Sequence, residues 1–373
     1  MNLSSLRAMF RPAPTSSPDD ERLSATLQKL KRERELHAKE HDALGIATAK
    51  LKRERELHAK DRATFEAATA KLTELERRYR ALLEQGATAG GATRARIDAY
   101  HAGLGKTSYA RVWRERMDLI LSVIDAGEMN LMRALSLVRS REESRRDMTI
   151  DSRRWVIADR WIDLPWRPAA AAYRSAVFES VLAAVRPDTT KIIETGSGWG
   201  EHLCNVYLNG GPIDATYYAC EIEEEGRLCA LMLASLDPLL RLEARFFDYL
   251  APSWADVPAD EGHTILLTAH SIEQVATIHE DCIRGALALG SHVSGIHFEP
   301  IGWQTQPEDA RSEVSRAHHA RCTELHYNEN LWPLLRKLEA EGLLRITRCE
   351  TNLIGLDYNP ATYITWEKAE TGR

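Results

Sequence analysis

No stretch of about 18 consecutive apolar residues occurs in the 373-residue chain, which excludes a membrane-spanning helix. Cysteine is scarce and confined to the C-terminal half: Cys204, Cys220, Cys229, Cys282, Cys322 and Cys349, with no C-x-x-C pair. That scatter supplies neither a disulfide framework nor a zinc site, and it fits reduced thiols in a cytoplasm. No charge sign is in large excess either. The formal net charge is -6, so bulk charge makes no case for a nucleic-acid partner. Met1 to Pro14 contains Arg7 but no apolar core of signal-peptide length. From Glu21 to Leu83 proline is absent and Gly45 is the sole glycine, which permits one uninterrupted helix.

What fills that interval is Leu, Ala, Lys, Arg and Glu. The run Lys29 to Lys39 recurs verbatim as Lys50 to Lys60, a period of 21 residues. Three whole heptads leave a coiled-coil seam in register. Every seventh residue gives Leu23, Leu30, His37, Leu44, Leu51, His58, Phe65, Leu72 and Tyr79. The d partners are polar or small at first and become apolar at Ala68, Leu75 and Leu82, so self-association is expected to be anchored near Phe65 to Leu82. A helix of that length reaches about 90 Å. His37 and His58 read as tolerated polar breaks in the seam. Before the rod, residues 1–20 form a Ser/Pro/Asp-rich lead read as disordered. Leu3, Leu6, Met9 and Phe10 beside Arg7 and Arg11 allow at most a peripheral membrane contact.

A hinge at Gln85 to Gly91 ends the rod. Gly103-Leu104-Gly105-Lys106-Thr107-Ser108 invites a phosphate-loop reading, but Tyr100 stands where that loop needs glycine and no apolar strand precedes it. Residues 108–147 look helical, with Leu119, Ile120, Val123, Ile124, Leu131, Leu135 and Leu137 on apolar faces. Arg153, Arg154, Arg160 and Arg167 then interleave with Trp155, Trp161 and Trp166. That mixture suits sugar rings and phosphates, and equally a linker packed on the following domain, which is the reading preferred. Ala169 to Val185 forms a helix.

Lys191-Ile192-Ile193-Glu194-Thr195-Gly196-Ser197-Gly198-Trp199-Gly200 is a short apolar run ending in an acid and three alternating glycines. It reads as a buried strand entering a tight turn, with a helix from Glu201 whose first N–H groups face whatever the turn holds. A dinucleotide fold wants its third glycine one step later. Further strands end in acids at Glu221, 21 residues after Gly200, and at Asp248. Thr264 to Ala269 and Val293 to Pro300 are two more apolar strands, and Leu343 to Arg348 with Thr362 to Trp366 form a terminal pair.

From Lys191 to Lys368 this order resembles class I S-adenosylmethionine-dependent methyltransferases. The resemblance implies a doubly wound α/β fold with a seven-stranded sheet and a terminal antiparallel strand, and S-adenosylmethionine as cofactor. It implies that Glu194, Gly196, Ser197, Gly198 and Gly200 meet the methionine end, that Glu221 grips the ribose, and that Asp248 sits beside the adenine amino group. Ligands in such sheets bind off the carboxyl ends of the strands, which nominates His270, Glu273, His297 and Glu299 near the methyl group. Histidine is the natural general base and a carboxylate would orient it; His270 is the first choice and His297 the second. No metal is assigned, because nothing fixes a ligand spacing. The Asn/Asp-Pro-Pro-aromatic motif of amide and base N-methyltransferases is absent, since Thr268-Ala269-His270-Ser271 stands there. That departure argues for a hydroxyl acceptor. His326 to Leu331 precedes a helix and either covers the acceptor or caps that helix through Asn328.

The expected organisation is a lead at 1–20, a coiled coil at 21–85, a hinge and helical connector at 86–168 and a methyltransferase domain at 169–373. The expected activity is methyl transfer to oxygen in the cytoplasm, on a small molecule or a glycan such as a surface polysaccharide, without nucleic acid. Coiled-coil rods fused to methyltransferases resemble bacterial polysaccharide-capping enzymes. A second reading makes the rod the functional part and the α/β domain a scaffold. A third has the coil only dimerise a small-molecule O-methyltransferase.

Overall fold

The computed structural model describes residues 109–145 and 152–369, all within the second of two compact units, Ala67–Arg373. The lead, the coiled coil and the glycine hinge lie outside the described residues. Two helices come first, α1 (Ala110–Ile124) and α2 (Leu131–Arg145). Ala110, Met117, Ile120 and Val123 bury one face of α1 at helical spacing. Asn130 caps α2, its side chain accepting from Arg133 N at 3.1 Å. The expected helical stretch over 108–147 consists, among the described residues, of these two helices with a break between Ile124 and Leu131. Leu137, placed on an apolar face by pattern, is 38% exposed, while its neighbour Val138 is buried.

β1 (Ser152–Ile157) and β2 (Arg160–Pro165) follow, then α3 (Trp166–Ala184). The alternating units are β3 (Thr189–Thr195), α4 (Glu201–Leu208), β4 (Thr216–Glu221), α5 (Glu224–Ala234), β5 (Leu242–Phe246) and β6 (His263–Ala269). After a single turn, α6 (Asp281–Arg284), come β7 (His292–Glu299), α7 (Glu313–Glu324), α8 (Leu331–Ala340), β8 (Leu344–Leu356) and β9 (Asn359–Lys368). One sheet holds all nine strands in the order β2-β1-β8-β9-β7-β6-β3-β4-β5. Strands β5, β4, β3, β6 and β7 are parallel, and β9 enters antiparallel between β7 and β8. The mixed α/β sheet is consistent with a methyltransferase-like fold.

Among the described residues the sheet has nine strands rather than the expected seven, because the Arg/Trp segment is a hairpin and not a linker. Its turn is Ala158-Asp159, with φ of 48° and 63°, the two-residue geometry that matches strand twist. Glycine usually marks such a turn, and here none does. The hairpin joins the sheet through β1 and β8 and buries Trp155, while Arg153 and Arg154 lie over the rings of Trp166 and Trp161.

Successive residues of each inner strand face opposite layers. Ile192, Tyr217, Ala219, Ile265 and Ile296 share one core with α1 to α5. Ile193, Tyr218, Leu266, Val293 and Trp366 share the other with α6 and α8. Burial on both faces makes β6, His263 to Ala269, buried at every position. All six cysteines are free thiols and five are buried. No helix among the described residues is long and apolar enough to cross a membrane.

Candidate functional site

Because β3 lies between β4 and β6, the chain leaves its two sides in opposite directions and opens a crevice at the carboxyl ends. A cavity of about 370 Å³ occupies that place, and Glu194, Glu221 and Asp248, from three adjacent strand ends, all line it. The glycine turn forms its floor. Gly196 and Gly198 have φ of 67° and 54°, a region that side chains rarely adopt. A Cβ on Gly196 would lie 2.3 Å from Ser271 Cβ, and one on Gly198 2.7 Å from the Trp113 ring. Gly200 does not line the cavity. It caps α4, and its Cα faces Ala230 of α5, whose Cβ an added methyl would meet at 2.7 Å.

Glu221 holds the turn in place. Its carboxylate accepts from Gly198 N at 2.8 Å and from Glu223 N at 3.0 Å. Burial raises its pKa against the pull of those N–H groups. Asp248, two residues beyond β5 rather than within it, accepts from Leu250 N at 2.9 Å. Glu194 Oε1 lies 2.6 Å from His202 Nδ1. Its Oε2 and Ser197 Oγ are buried and unpartnered among the described residues. Buried polar atoms are nearly always satisfied, and both residues line the cavity, so these two atoms fit a polar ligand bound there.

His270 follows β6 with φ of 49°, a costly conformation for a side chain with a Cβ. Its Nδ1 lies 3.0 Å from Glu273 Oε2, and Asn359 Nδ2 donates to the same carboxylate oxygen at 2.9 Å while standing 3.0 Å from Nδ1. With Glu273 ionised, Nδ1 carries the proton and Nε2 is left to act. Burial lowers the His270 pKa, but Glu273 outweighs it and the net shift is upward. Glu273 moves down, since His270 overcomes the opposing effect of burial.

Of the four candidate catalytic residues, His270 alone lines the cavity. Glu273 sits behind it. His297 is fully buried in the sheet: Trp366 Nε1 donates to its Nε2 at 2.8 Å, and its Nδ1 lies 2.9 Å from Thr268 Oγ1. Burial pushes its pKa to about 3, so it packs as a neutral ring with both nitrogens engaged. Glu299 lies behind Ser271, accepting from Ser271 N and Oγ, each at 3.2 Å. Among the described residues no group of three His, Cys, Asp or Glu side chains is placed to hold a metal. Asn330 is the N-cap residue of α8, and Asn328 Oδ1, two residues earlier, accepts from Asn330 N at 3.0 Å and from Leu331 N at 2.8 Å.

Burial, with Glu273 adding repulsion, raises the Glu299 pKa from 4.5 to about 7. Between those values the folded carboxyl keeps a proton that the unfolded chain has released. Stability from this group is therefore complete below pH 4.5 and lost as pH rises through about 7, a difference on the order of 3 kcal/mol. Glu299→Gln mimics the protonated form. Its melting temperature should match the parent's at pH 5 and exceed it at pH 8; equal melting temperatures at both values would show that Glu299 ionises freely.

Tyr109, the N-cap of α1, and Trp113 within it also line the cavity, their rings stacked at 5.8 Å. Sequence reasoning missed them. Their spacing of four was the only signal, and it marks a helix face without saying what the face covers. Tyr249 and Ser271 were missed as well. Tyr249 OH donates to Thr195 O at 2.8 Å and lies 2.8 Å from Ser271 Oγ, tying β3 to the loops after β5 and β6.

No family model matches the chain, and no curated protein matches it. Solved structures similar to part of it include a SAM dependent methyltransferase from Aquifex aeolicus, 13% identical over 52% of this chain and 89% of that one, TM-score 0.35. Another is the mitomycin 7-O-methyltransferase MmcR, 14% identical over 54% of this chain and 56% of that one, TM-score 0.35. A third is a cyclopropane-fatty-acyl-phospholipid synthase-like protein from Lactobacillus casei, 13% identical over 53% and 90%, TM-score 0.38. These likenesses carry no residue roles across. The strand order and the acids around one cavity are what agree with the class I methyltransferase resemblance read from the sequence.

Proposed function

We propose that this chain transfers a methyl group from S-adenosylmethionine to an oxygen, with a sugar or surface polysaccharide as the acceptor class. The observation that carries the cofactor is the convergence of Glu194, Glu221 and Asp248 on one cavity floored by the glycine turn. Glu194 Oε2 and Ser197 Oγ, buried and unpartnered, fit a ligand with several polar groups. Glu221 would take the ribose hydroxyls, Asp248 the adenine amino group, and the turn from Gly196 to Gly198 the methionine end.

When bound, the cofactor supplies a methyl group activated on sulfur for in-line displacement. The protein then has to orient the acceptor and remove its proton. His270 Nε2 is the base in this reading, and Glu273 fixes the tautomer that leaves Nε2 free. A hydroxyl acceptor needs such a base, which supports oxygen as the target. Self-association through residues 21–85 and a cytoplasmic location complete the proposal; the scattered free thiols support the latter.

Calorimetric titration of S-adenosylmethionine and NAD into the purified protein tests the core of it. Micromolar binding of the sulfonium without NAD is expected and opens an acceptor screen that starts with glycans. Binding of NAD in its place would sink the methyltransferase reading, and binding of neither would sink the enzyme reading.

A further inference from the structure

The described residues lining the cavity include the acids Glu194, Glu201, Glu221, Glu223 and Asp248, and no lysine or arginine. A wall of that kind favours a cationic sulfonium, yet the same ligand ends in a carboxylate, which it would repel. The two described lining side chains able to carry positive charge are His202 and His270. His270 stands at the end of β6 with its Nδ1 beside Glu273. His202 belongs to the first turn of α4, directly after the glycine turn.

His202 is built to be charged. Its Nδ1 meets Glu194 at 2.6 Å, and its ring lies edge-on to Tyr173 at 6.5 Å. Burial opposes protonation, but Glu194 and then Glu201 outweigh it and raise the pKa. Three arginines stand around Glu201, and none lines the cavity: Arg139 places its Nε on Glu201 Oε1 at 2.5 Å and its Nη2 on Asn205 Oδ1 at 2.9 Å, Arg116 pairs with Glu142, and Arg174 lies among Glu201, Glu142 and Glu143. The His202 side chain keeps 19% of its surface exposed, and no hydrogen bond from its Nε2 to a described residue is formed.

Resting on the cofactor reading above, we propose that His202 is the specificity-determining residue for the amino-acid end of the ligand, with Nε2–H donating to its α-carboxylate. Glu194, whose own pKa burial raises against the pull of His202, and the ionised Glu201 beyond it together supply the counter-charge that keeps the imidazole protonated. An acidic pocket can in this way hold a zwitterionic tail without an arginine or lysine.

S-adenosylhomocysteine and 5′-methylthioadenosine share the nucleoside and the thioether, and the second lacks the amino-acid end. Calorimetry on the full chain should show His202→Gln weakening the first ligand about ten- to a hundredfold, the range for one charge-assisted hydrogen bond of ~1.5–3 kcal/mol. Methylthioadenosine affinity should stay within about twofold, which also shows that the variant is folded. His202→Lys, which restores a cation, should recover most of the loss. The α-carboxyl methyl ester of S-adenosylhomocysteine tests the same contact without a mutation: it should bind the parent weakly and lose nothing further in His202→Gln. Equal weakening of both ligands, or an ester that binds the parent as tightly as the acid, overturns the assignment. Failure of both thioethers to bind the parent overturns the cofactor reading instead.

Discussion

Glu221→Ala is expected to weaken S-adenosylmethionine binding by at least a hundredfold while the chain remains folded. Glu221 is 6% exposed, and its carboxylate accepts from two backbone N–H groups, Gly198 at 2.8 Å and Glu223 at 3.0 Å. Its removal leaves both donors unsatisfied, at about 1–3 kcal/mol each, and frees the glycine turn that the ligand must lie on. The contact proposed to the ribose would be lost at the same time. Glu221→Gln separates these effects, because its amide oxygen can still accept from one N–H. An intermediate loss of about tenfold is expected there. Calorimetry reads the affinities, and far-ultraviolet dichroism with thermal melting checks the fold. An Ala variant that binds within about threefold of the parent would show that Glu221 neither shapes nor contacts the cofactor site.

The sheet was legible because inner strands buried on both faces read as apolar runs, as in Ile192-Ile193 and Ile265-Leu266-Leu267. The acids were legible because they fall where those runs stop. The β1–β2 hairpin was not, since Ala158-Asp159 turns the chain through positive φ without glycine. His297 and His270 look alike in sequence, each at the end of an apolar strand. What separates them is tertiary: the Trp366 indole reaches His297 Nε2, whereas His270 turns into the cavity through a left-handed backbone conformation. No periodicity encodes either difference. Gly200 carries the same lesson, for its spacing belongs to the ligand motif while its Cα serves the packing of α4 on α5. Tyr109 and Trp113 join the site only because α1 folds back over the glycine turn.

His270→Ala should lower the methyl-transfer rate about 10²- to 10⁴-fold, the range for loss of a positioned base, with S-adenosylmethionine affinity changed less than about threefold. The acceptor found in the glycan screen serves as substrate. The pH dependence gives a second signature. The base must be unprotonated to accept the hydroxyl proton, and Glu273 holds the His270 pKa above 6.5 against burial, so activity should rise with pH along a limb centred above 6.5. Glu273→Gln keeps an oxygen for Nδ1–H and removes the charge. The limb should then shift toward lower pH, while the maximal rate falls far less than in His270→Ala. A merely structural Glu273 would change rate or stability and leave the limb where it was. If His270→Ala instead keeps its rate within about threefold and its pH limb in place, the proton leaves by another path. The Ser271 hydroxyl, lining the cavity and joined to the Glu299 carboxyl at 3.2 Å, is then the group to replace next.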